Sequence, residues 1–185
     1  MKPISLVTTH ERCKEKTNLD GLLVLTTFSG PVKELIVNIK YHYHFDMNYT
    51  LALFVAEYAY RSPAFHSLHP RAFLPIPSHP DRQRERGFNQ SDILAREVSK
   101  ILHIPYTNKV LEKTRNTTPQ AQLKKDARLH NLEDVFKCSL RLKKSDIYIL
   151  VDDVVTTGAT LSAAAKTLKK AGAGKVYGLA SAHGH

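Results

Sequence analysis

The stretch "ILVDDVVTTGATLS", residues 149–162, places a strand pattern, an acidic pair and a helix start next to one another. Its apolar, β-branched run predicts a buried strand, and the threonine-rich turn with one glycine predicts the start of a helix. Between them stand two adjacent carboxylates, Asp152 and Asp153, whose mutual repulsion suggests that they hold something. A buried strand that leads directly into a helix is typical of α/β folds.

Helical periodicity recurs in three further stretches of the chain. In "SGPVKELIVNIKY", apolar residues fall at helical spacing behind Pro31, which suits a first helical turn. In "DMNYTLALFVAEYAY", the pattern predicts a helix capped by Asp46 and apolar enough to be largely buried. The stretch "NQSDILAREVSKIL" predicts another helix with one apolar face.

Apolar runs between these helices predict the strands of a mostly parallel sheet. "RAFLPIP" predicts a buried strand followed by a charged loop, and further strands are predicted near Val110, at 135–138 and at 147–151. After the acidic pair, the chain predicts a helix closed by Gly172 and then a last apolar strand. Residues 113–125 are polar and basic, which predicts a mobile loop before a short helix.

The turn after the acidic pair has the chemistry of a phosphate site. Backbone N–H groups, the hydroxyls of Thr156, Thr157 and Thr160, and the flexible Gly158 open onto a helix N-terminus. Carboxylates beside a phosphate suit a ligand that also carries hydroxyls or a hydrated Mg²⁺, so a ribose 5-phosphate fits both halves. The alternative is that these side chains only cap the turn and the helix. A Walker B strand would require a GxxxxGK[ST] loop, which the sequence lacks.

Composition limits the partners and the compartment. The 185 residues carry a formal net charge of +10, which favours anionic partners such as nucleotides or nucleic acid. No run approaches the ~18 apolar residues of a membrane span, and the N-terminus lacks the apolar centre of a signal peptide, so we expect a cytoplasmic protein. Cys13 and Cys138 are too few for a disulfide framework and are expected to be reduced thiols.

The segment "ILVDDVVTTGATL" resembles the phosphoribosyl pyrophosphate (PRPP) motif of type I phosphoribosyltransferases. Three further stretches, "FSGPVKELIVNIKY", "RERGFNQSDILAREVSKIL" and "TTPQAQLKKDARLHNLEDVF", resemble ComF-type proteins. The resemblance spans about residues 28–182. It implies a phosphoribosyltransferase-like protein of the natural competence machinery, related to GntX-type DNA utilisation proteins, that handles incoming single-stranded DNA with a competence helicase as a further partner.

The resemblance also implies a fold and a ligand site. The fold is a type I phosphoribosyltransferase-like α/β domain, with a mostly parallel central sheet flanked by helices and a small N-terminal helical hood region. The resemblance implies that PRPP binds together with Mg²⁺, which Asp152 and Asp153 would help to hold. The residues of the implied PRPP site are Asp152, Asp153, Val154, Thr156, Thr157, Gly158, Ala159 and Thr160.

The first 27 residues depart from the family pattern. ComF-like chains commonly begin with a zinc ribbon of two CxxC pairs, whereas this segment contains only Cys13. We therefore divide the chain into a segment 1–27, with the zinc ribbon apparently absent, and a phosphoribosyltransferase-like domain 28–185, which could form a homodimer. His10 and Cys13 with His42 and His44 have a zinc-like spacing, but surface histidines are the simpler interpretation.

Two basic segments are further candidates for phosphate contacts. By resemblance, the stretch "PSHPDRQRERGFNQ" contacts pyrophosphate. The segment from Arg115 to Arg128 resembles a flexible loop that closes over PRPP and excludes water. The candidate residues are Ser78, Arg82, Arg84, Arg86, Arg115, Gln120, Lys124 and Arg128. The candidate DNA-binding residues are Arg84, Arg86, Lys124 and Lys125. The alternative is a solvated basic loop without a ligand.

Three functions remain open on the sequence. They are a ComF-like DNA-handling protein that binds PRPP, a salvage phosphoribosyltransferase, and a non-catalytic regulator that responds to PRPP. In a transferase, Mg²⁺ and the loop arginines would stabilise the departing pyrophosphate, and no general base is required for that departure. The sequence contains no base-recognition signature that would identify an acceptor, and a PRPP-binding fold alone does not establish transfer.

Overall fold

The central feature of the fold is a four-stranded parallel sheet. The computed structural model describes residues 17–42, 45–115 and 135–184. Within these ranges the sheet has the strand order β1-β6-β5-β2. Its strands are Gly21–Thr27 (β1), Ala72–Pro75 (β2), Ile147–Val155 (β5) and Lys175–His183 (β6). Leu111–Lys113 (β3) and Phe136–Cys138 (β4) form a separate antiparallel pair. The predicted mostly parallel sheet is confirmed.

Strand β5 lies in the interior of the sheet. It pairs with β6 from Ile147↔Lys175 to Val155↔His183, and with β2 on its other side. Because all four strands run in the same direction, their carboxyl ends meet at one edge. That edge is the expected place for a ligand.

Helices cover both faces of the sheet, as predicted. They are Gly30–His42 (α1), Phe45–Tyr60 (α2), Pro63–His66 (α3), Pro80–Arg86 (α4), Gln90–Leu102 (α5) and Ala159–Lys170 (α6). On one face, α1, α2 and α5 pack on β5 and β6 through a core that includes Ile36, Val55, Leu94, Ile149 and Leu179. On the other face, α6 and the β3–β4 pair share a second core, which includes Phe136, Leu150, Leu161, Leu168 and Val176. No helix in the described ranges is long and apolar enough to cross a membrane.

Strand β1 was not predicted, and it extends the sheet towards the N-terminus. It pairs with β6 from Gly21↔Tyr177 to Thr27↔His183. Just before it, the Asp20 carboxylate accepts a hydrogen bond from the Val176 N–H at 2.8 Å. The same carboxylate forms an ion pair with Lys169 Nζ at 2.9 Å. The sheet therefore includes residues on the N-terminal side of the boundary that we predicted at residue 28.

Two predictions about helix α2 were wrong. The helix already includes Asp46, so this residue does not precede it as a cap. The helix is also not largely buried, because the described elements cover only one of its sides: Leu51, Val55 and Ala59 are buried, whereas Tyr49 is 52% exposed. Helical periodicity identifies a helix, but it cannot show how many of its sides find a partner.

The segment that we predicted to be a charged loop after β2 contains the short helix α4. Pro80 occupies its first turn, the His79 ring accepts a hydrogen bond from the Asp81 N–H at 3.3 Å, and Gly87 ends the helix at φ +74°. Proline at the start and glycine directly after the end are ordinary helix signals. We predicted a loop because this segment is rich in arginine, and we did not use these two helix signals.

Strand β5 is longer than predicted, and this changes the position of the acidic pair. The predicted strand ended at Val151, but the pairing with β6 continues through Asp152↔Ala180 to Val155↔His183. Asp152 and Asp153 therefore lie within the last part of the strand. The remaining predictions of helices α1, α5 and α6 and of the strand after Gly172 are confirmed, whereas the predicted short helix before β4 lies outside the described residues.

Candidate functional site

The candidate site lies where the carboxyl ends of β5 and β2 meet. After β5 the chain passes through Thr156 and Thr157 into α6, and after β2 it passes through Ser78 into α4. Backbone hydrogen bonds hold these connections close to the sheet: the Ile76 N–H donates to the Val151 carbonyl at 2.9 Å, and the Gly184 N–H donates to the Val155 carbonyl at 2.8 Å. The loops of this edge are therefore anchored on β5.

The acidic pair is held by a small set of hydrogen bonds. Asp152 Oδ1 accepts from the Ser91 hydroxyl at 2.8 Å and from the Asp153 N–H at 2.9 Å. Asp153 Oδ1 accepts from the Val154 N–H at 2.9 Å. Asp152 is half-buried, and Asp153 is only 9% exposed. The two carboxyl groups are thus fixed in orientation and largely removed from water.

Two nearby carboxyl groups at a buried edge carry an electrostatic cost. Burial, and after it the neighbouring Asp153 charge, raise the pKa of Asp152 to about 8, although the hydrogen bond from Ser91 works in the opposite direction. Ligand hydroxyl donors or a cation would favour the charged form. A raised pKa means that the ionised form of Asp152 is less favourable in the folded protein than in water.

We expect the stability of the ligand-free protein to fall as the pH rises from about 4 to about 8. The pKa of Asp152 is about 8 in the folded state against an ordinary value of 3.8, so the folded state binds more protons in this window. Asp152→Asn removes this proton binding and keeps an acceptor for Ser91. Urea denaturation across this range, with a chelator present, should show a flatter pH dependence in the variant. Identical pH dependence in both proteins would show that the Asp152 pKa is not raised.

The turn after β5 has the geometry of an anion site. Gly158 precedes α6 at φ +71°, a conformation that other residues rarely adopt, and it has no side chain to cap the helix. The Thr157 hydroxyl accepts a long hydrogen bond of 3.4 Å from the Ala159 N–H. Thr156 and Thr157 are exposed, and Thr160 is half-buried. The first N–H groups of a helix have no partners within the helix, so this turn presents donors beside the acidic pair.

Sequence reasoning missed the start of helix α5 as part of the site. Ser91 holds Asp152, as described above, and the Asn89 side chain donates to the Ile76 carbonyl at 3.0 Å. The Gln90 side chain donates to Asn48 Oδ1 on α2 at 2.6 Å. A signal was present, because Gln90 and Ser91 are polar residues at inward-facing positions of an amphipathic helix. From the sequence, this stretch was predicted to be a helix with one apolar face and part of the family resemblance, but not part of the site.

The three arginines of α4 do not share one side of the helix. Residues four apart share a face, whereas residues two apart point in nearly opposite directions. Positions 82 and 86 therefore lie together, and Arg84 lies on the other side. Arg84 is exposed and pairs with Asp81 at 2.7 Å. The candidate phosphate contacts of this helix therefore divide between two of its sides.

The other predicted phosphate contacts are only partly within the described residues. The hydroxyl of Ser78 is buried and has no hydrogen-bond partner among the described residues, so it could receive a ligand or water. Arg115 is exposed at the end of a described range. Gln120, Lys124, Lys125 and Arg128 lie outside the described residues.

The donor set of the site fits Mg²⁺ bound together with PRPP. Carboxylate oxygens, hydroxyls and waters are the ligands that Mg²⁺ prefers, and the acidic pair supplies carboxylates at one point. A magnesium ion held partly by its own waters and by ligand phosphates needs few protein groups. In the described ranges, no group of three or more histidine, cysteine or acidic side chains is arranged to bind a metal. His10, Cys13 and His44 lie outside those ranges, so the zinc question stays a prediction.

A comparison with protein families agrees with this geometry. The family described as phosphoribosyl transferase domain matches residues 86–182, which is more than half of the 185-residue chain. The matched region contains helix α5, the acidic pair and the turn before α6.

Curated relatives cover most of the chain. It is 33% identical over 176 residues to Competence protein F of Haemophilus influenzae, covering 91% of this chain and 76% of the relative. It is 30% identical over 167 residues to DNA utilization protein YhgH of Escherichia coli K12, covering 89% and 73%. A shorter similarity, 36% over 99 residues, joins it to Competence protein ComFC of Bacillus subtilis, covering 54% and 38%. The chain therefore belongs to the competence protein F (ComF) family and carries its phosphoribosyl transferase domain.

Proposed function

We propose that this protein binds PRPP with Mg²⁺ at the carboxyl edge of its sheet and handles single-stranded DNA during DNA uptake. One observation carries the first half of the proposal: the fixed acidic pair of β5 stands directly before the turn that opens helix α6. Carboxylate oxygens that accept hydrogen bonds from hydroxyl groups therefore lie beside N–H groups that donate hydrogen bonds to a phosphate. A phosphorylated ribose requires both.

Each part of the site has a distinct role in this proposal. Asp152 and Asp153 accept hydrogen bonds from the ribose hydroxyls, and the turn from Thr156 to Thr160 binds the 5′-phosphate through its N–H and hydroxyl groups. Ser78, whose buried hydroxyl has no hydrogen-bond partner among the described residues, donates to the pyrophosphate. Mg²⁺ bound with PRPP supplies positive charge to the diphosphate oxygens. Ser91 keeps Asp152 in the orientation that the ribose requires.

The same arrangement could support phosphoribosyl transfer. As pyrophosphate leaves the ribose C1, positive charge develops on the sugar and negative charge on the diphosphate. Fixed carboxylates beside the ribose and donors beside the diphosphate would stabilise both charges without a general base. Salvage transfer to a base is therefore the second candidate function, and a PRPP-responsive regulator without turnover is the third.

The DNA-handling half of the proposal is supported by charge and by the relatives. The formal net charge of +10 favours a polyanion, and phosphate contacts to Lys and Arg provide most of the affinity of proteins for single strands. The names of two relatives refer to competence and a third to DNA utilization. A competence helicase is the further protein partner that such a role implies.

Binding and turnover assays separate the three functions. The protein is titrated with PRPP and Mg²⁺, incubated with a panel of nucleobases, and tested separately with single-stranded DNA. PRPP binding and single-strand binding without turnover support the proposal. Release of pyrophosphate with one base would establish the salvage enzyme instead, and PRPP-dependent binding of an operator duplex would establish the regulator. Absence of PRPP binding at millimolar concentration would overturn the proposed ligand.

A further inference from the structure

Helix α2 exposes an unusual amount of apolar surface. Tyr49, Leu53, Phe54 and Tyr60 are 52%, 42%, 53% and 63% exposed, respectively. Among the described residues, only Leu140 is another large apolar residue with comparable exposure. These four apolar side chains form a surface that we call the α2 face. Scattered exposed apolar residues are normal, but their concentration on one helix marks a contact surface.

The α2 face borders a groove towards the end of helix α5. The groove has a volume of about 500 Å³. Its lining residues are Thr50, Leu53, Phe54, Ala56, Glu57, Tyr60, Ile101 and Leu102. The opposite side of α2 is already buried through Leu51 and Val55. A helix that is apolar on both sides normally has a partner on both sides, and in the part of the chain that the structure describes the exposed side has no such partner.

The charge of this surface favours a second copy of the same chain as that partner. Among the described residues that line the groove, Glu57 is the one that carries a charge, and it forms an ion pair with Arg61 at 2.7 Å on the same helix. The surface around the α2 face therefore contains a compensated pair, although the protein as a whole carries +10. An acidic or basic partner would gain little here. An identical apolar surface with a compensated pair fits without charge repulsion at the contact.

The area is also what a dimer requires. An aromatic side chain offers roughly 200 Å², so four half-exposed side chains present about 400 Å² of apolar surface per copy. Two copies would then bury about 800 Å² of apolar area. A standard interface buries about 1,200–2,000 Å² in total and is roughly 60% apolar, so the α2 faces supply the apolar core of an interface at the smaller end of that range.

We propose that the protein forms a homodimer in which the α2 faces of two copies pack against each other across a two-fold axis. In a two-fold contact the same residues meet from both sides, so Phe54 and Leu53 lie near the centre and the Glu57–Arg61 pairs lie beside it. This interface does not depend on PRPP or on DNA. It also gives the dimer an unusual salt dependence. Added salt screens the repulsion between two +10 proteins and leaves the apolar contact intact.

Sedimentation velocity over a range of protein concentrations tests the dimer. The full chain should show a monomer–dimer equilibrium in which the dimer fraction is unchanged or larger at high salt. Phe54→Glu should shift the dissociation constant at least tenfold towards monomer, because it places two carboxylates in the apolar contact. Leu53→Lys tests the same contact with the opposite charge. Leu140→Glu, at the exposed apolar residue outside α2, is the matched control and should dimerise like the wild type.

Three results would overturn the proposal. They are a wild type that stays monomeric up to the highest concentration, a dimer that Phe54→Glu and Leu53→Lys leave unchanged, and an equal loss of dimer in the Leu140→Glu control. Thermal unfolding at low protein concentration separates an interface effect from a folding defect. Folded Phe54→Glu that is monomeric supports the proposal, and if that variant is unfolded the decision rests on Leu53→Lys.

Discussion

Replacing both Asp152 and Asp153 by asparagine is expected to abolish most of the affinity for PRPP with Mg²⁺ while leaving the fold intact. Hydrogen bonds to charged groups contribute about 1.5–3 kcal/mol each, so the loss of two corresponds to on the order of a hundredfold, and we expect at least tenfold. The fold should survive because asparagine keeps the oxygen that accepts from Ser91 and removes the repulsion between two adjacent acids. Isothermal titration calorimetry measures the change.

Strand β5 offers a matched control for this experiment. Asp146 stands just before the strand, at the opposite edge of the sheet, where it accepts a hydrogen bond from the Tyr148 hydroxyl at 3.3 Å. Asp146→Asn removes one charge from the same part of the sequence and should not change PRPP affinity. Unchanged affinity in the Asp152/Asp153 double variant would remove the pair from the site. Unfolding of the double variant would show that the two side chains serve mainly to cap the turn.

Charge reversal on one side of helix α4 is expected to weaken binding of single-stranded DNA and to flatten its salt dependence. Positions 82 and 86 share a face, and Arg82→Glu with Arg86→Glu removes two candidate phosphate contacts. For single strands, log affinity falls with log salt by roughly 0.7 per neutralised phosphate, so the slope should become shallower by about 1.4. The loss should be similar for all sequences, because phosphate contacts carry no base information. Fluorescence anisotropy across a salt series gives the slopes.

Arg84 is the internal control for the DNA experiment. It belongs to the same short helix but lies on its other side, where Asp81 already pairs with it. Arg84→Glu should therefore change the slope less than the reversal of positions 82 and 86. If all three reversals act alike, or if heparin displaces DNA from every variant equally, attraction is diffuse and α4 is not a DNA site. Duplex bound as tightly as a single strand would count against a role in DNA uptake.

The fold could be predicted from the sequence wherever one local pattern decided the outcome. The β-branched run before the acidic pair, and the helix that starts after Gly158, follow from spacing and turn chemistry that act within a few residues. Strand β1 was missed because its place in the sheet depends on pairing with β6, more than 150 residues away, as in Leu23↔Leu179. The full length of β5 depends on the same neighbour, since β6 pairs with it as far as Val155.

The acids and the turn of the candidate site could be identified from the sequence, but the side chains that hold the acids in place could not. Asp152 and the threonines belong to one continuous motif, so they were found together. Ser91 reaches Asp152 from a position 61 residues earlier, and only the packing of α5 on the sheet brings the two together. The side of α4 that each arginine occupies likewise depends on the helix having formed. Long-range packing is thus the part of the site that local patterns do not contain.

Chemical-shift mapping of the backbone amides is the most direct test of a phosphoribosyl site at this edge. The protein is titrated with PRPP in the presence of Mg²⁺, and the perturbed amides are located in the sequence. We expect the largest shifts at residues 152–160 and smaller ones at Ser91, which contacts Asp152. Saturable shifts confined to other surfaces, with residues 152–160 unperturbed, would contradict the assignment of the site.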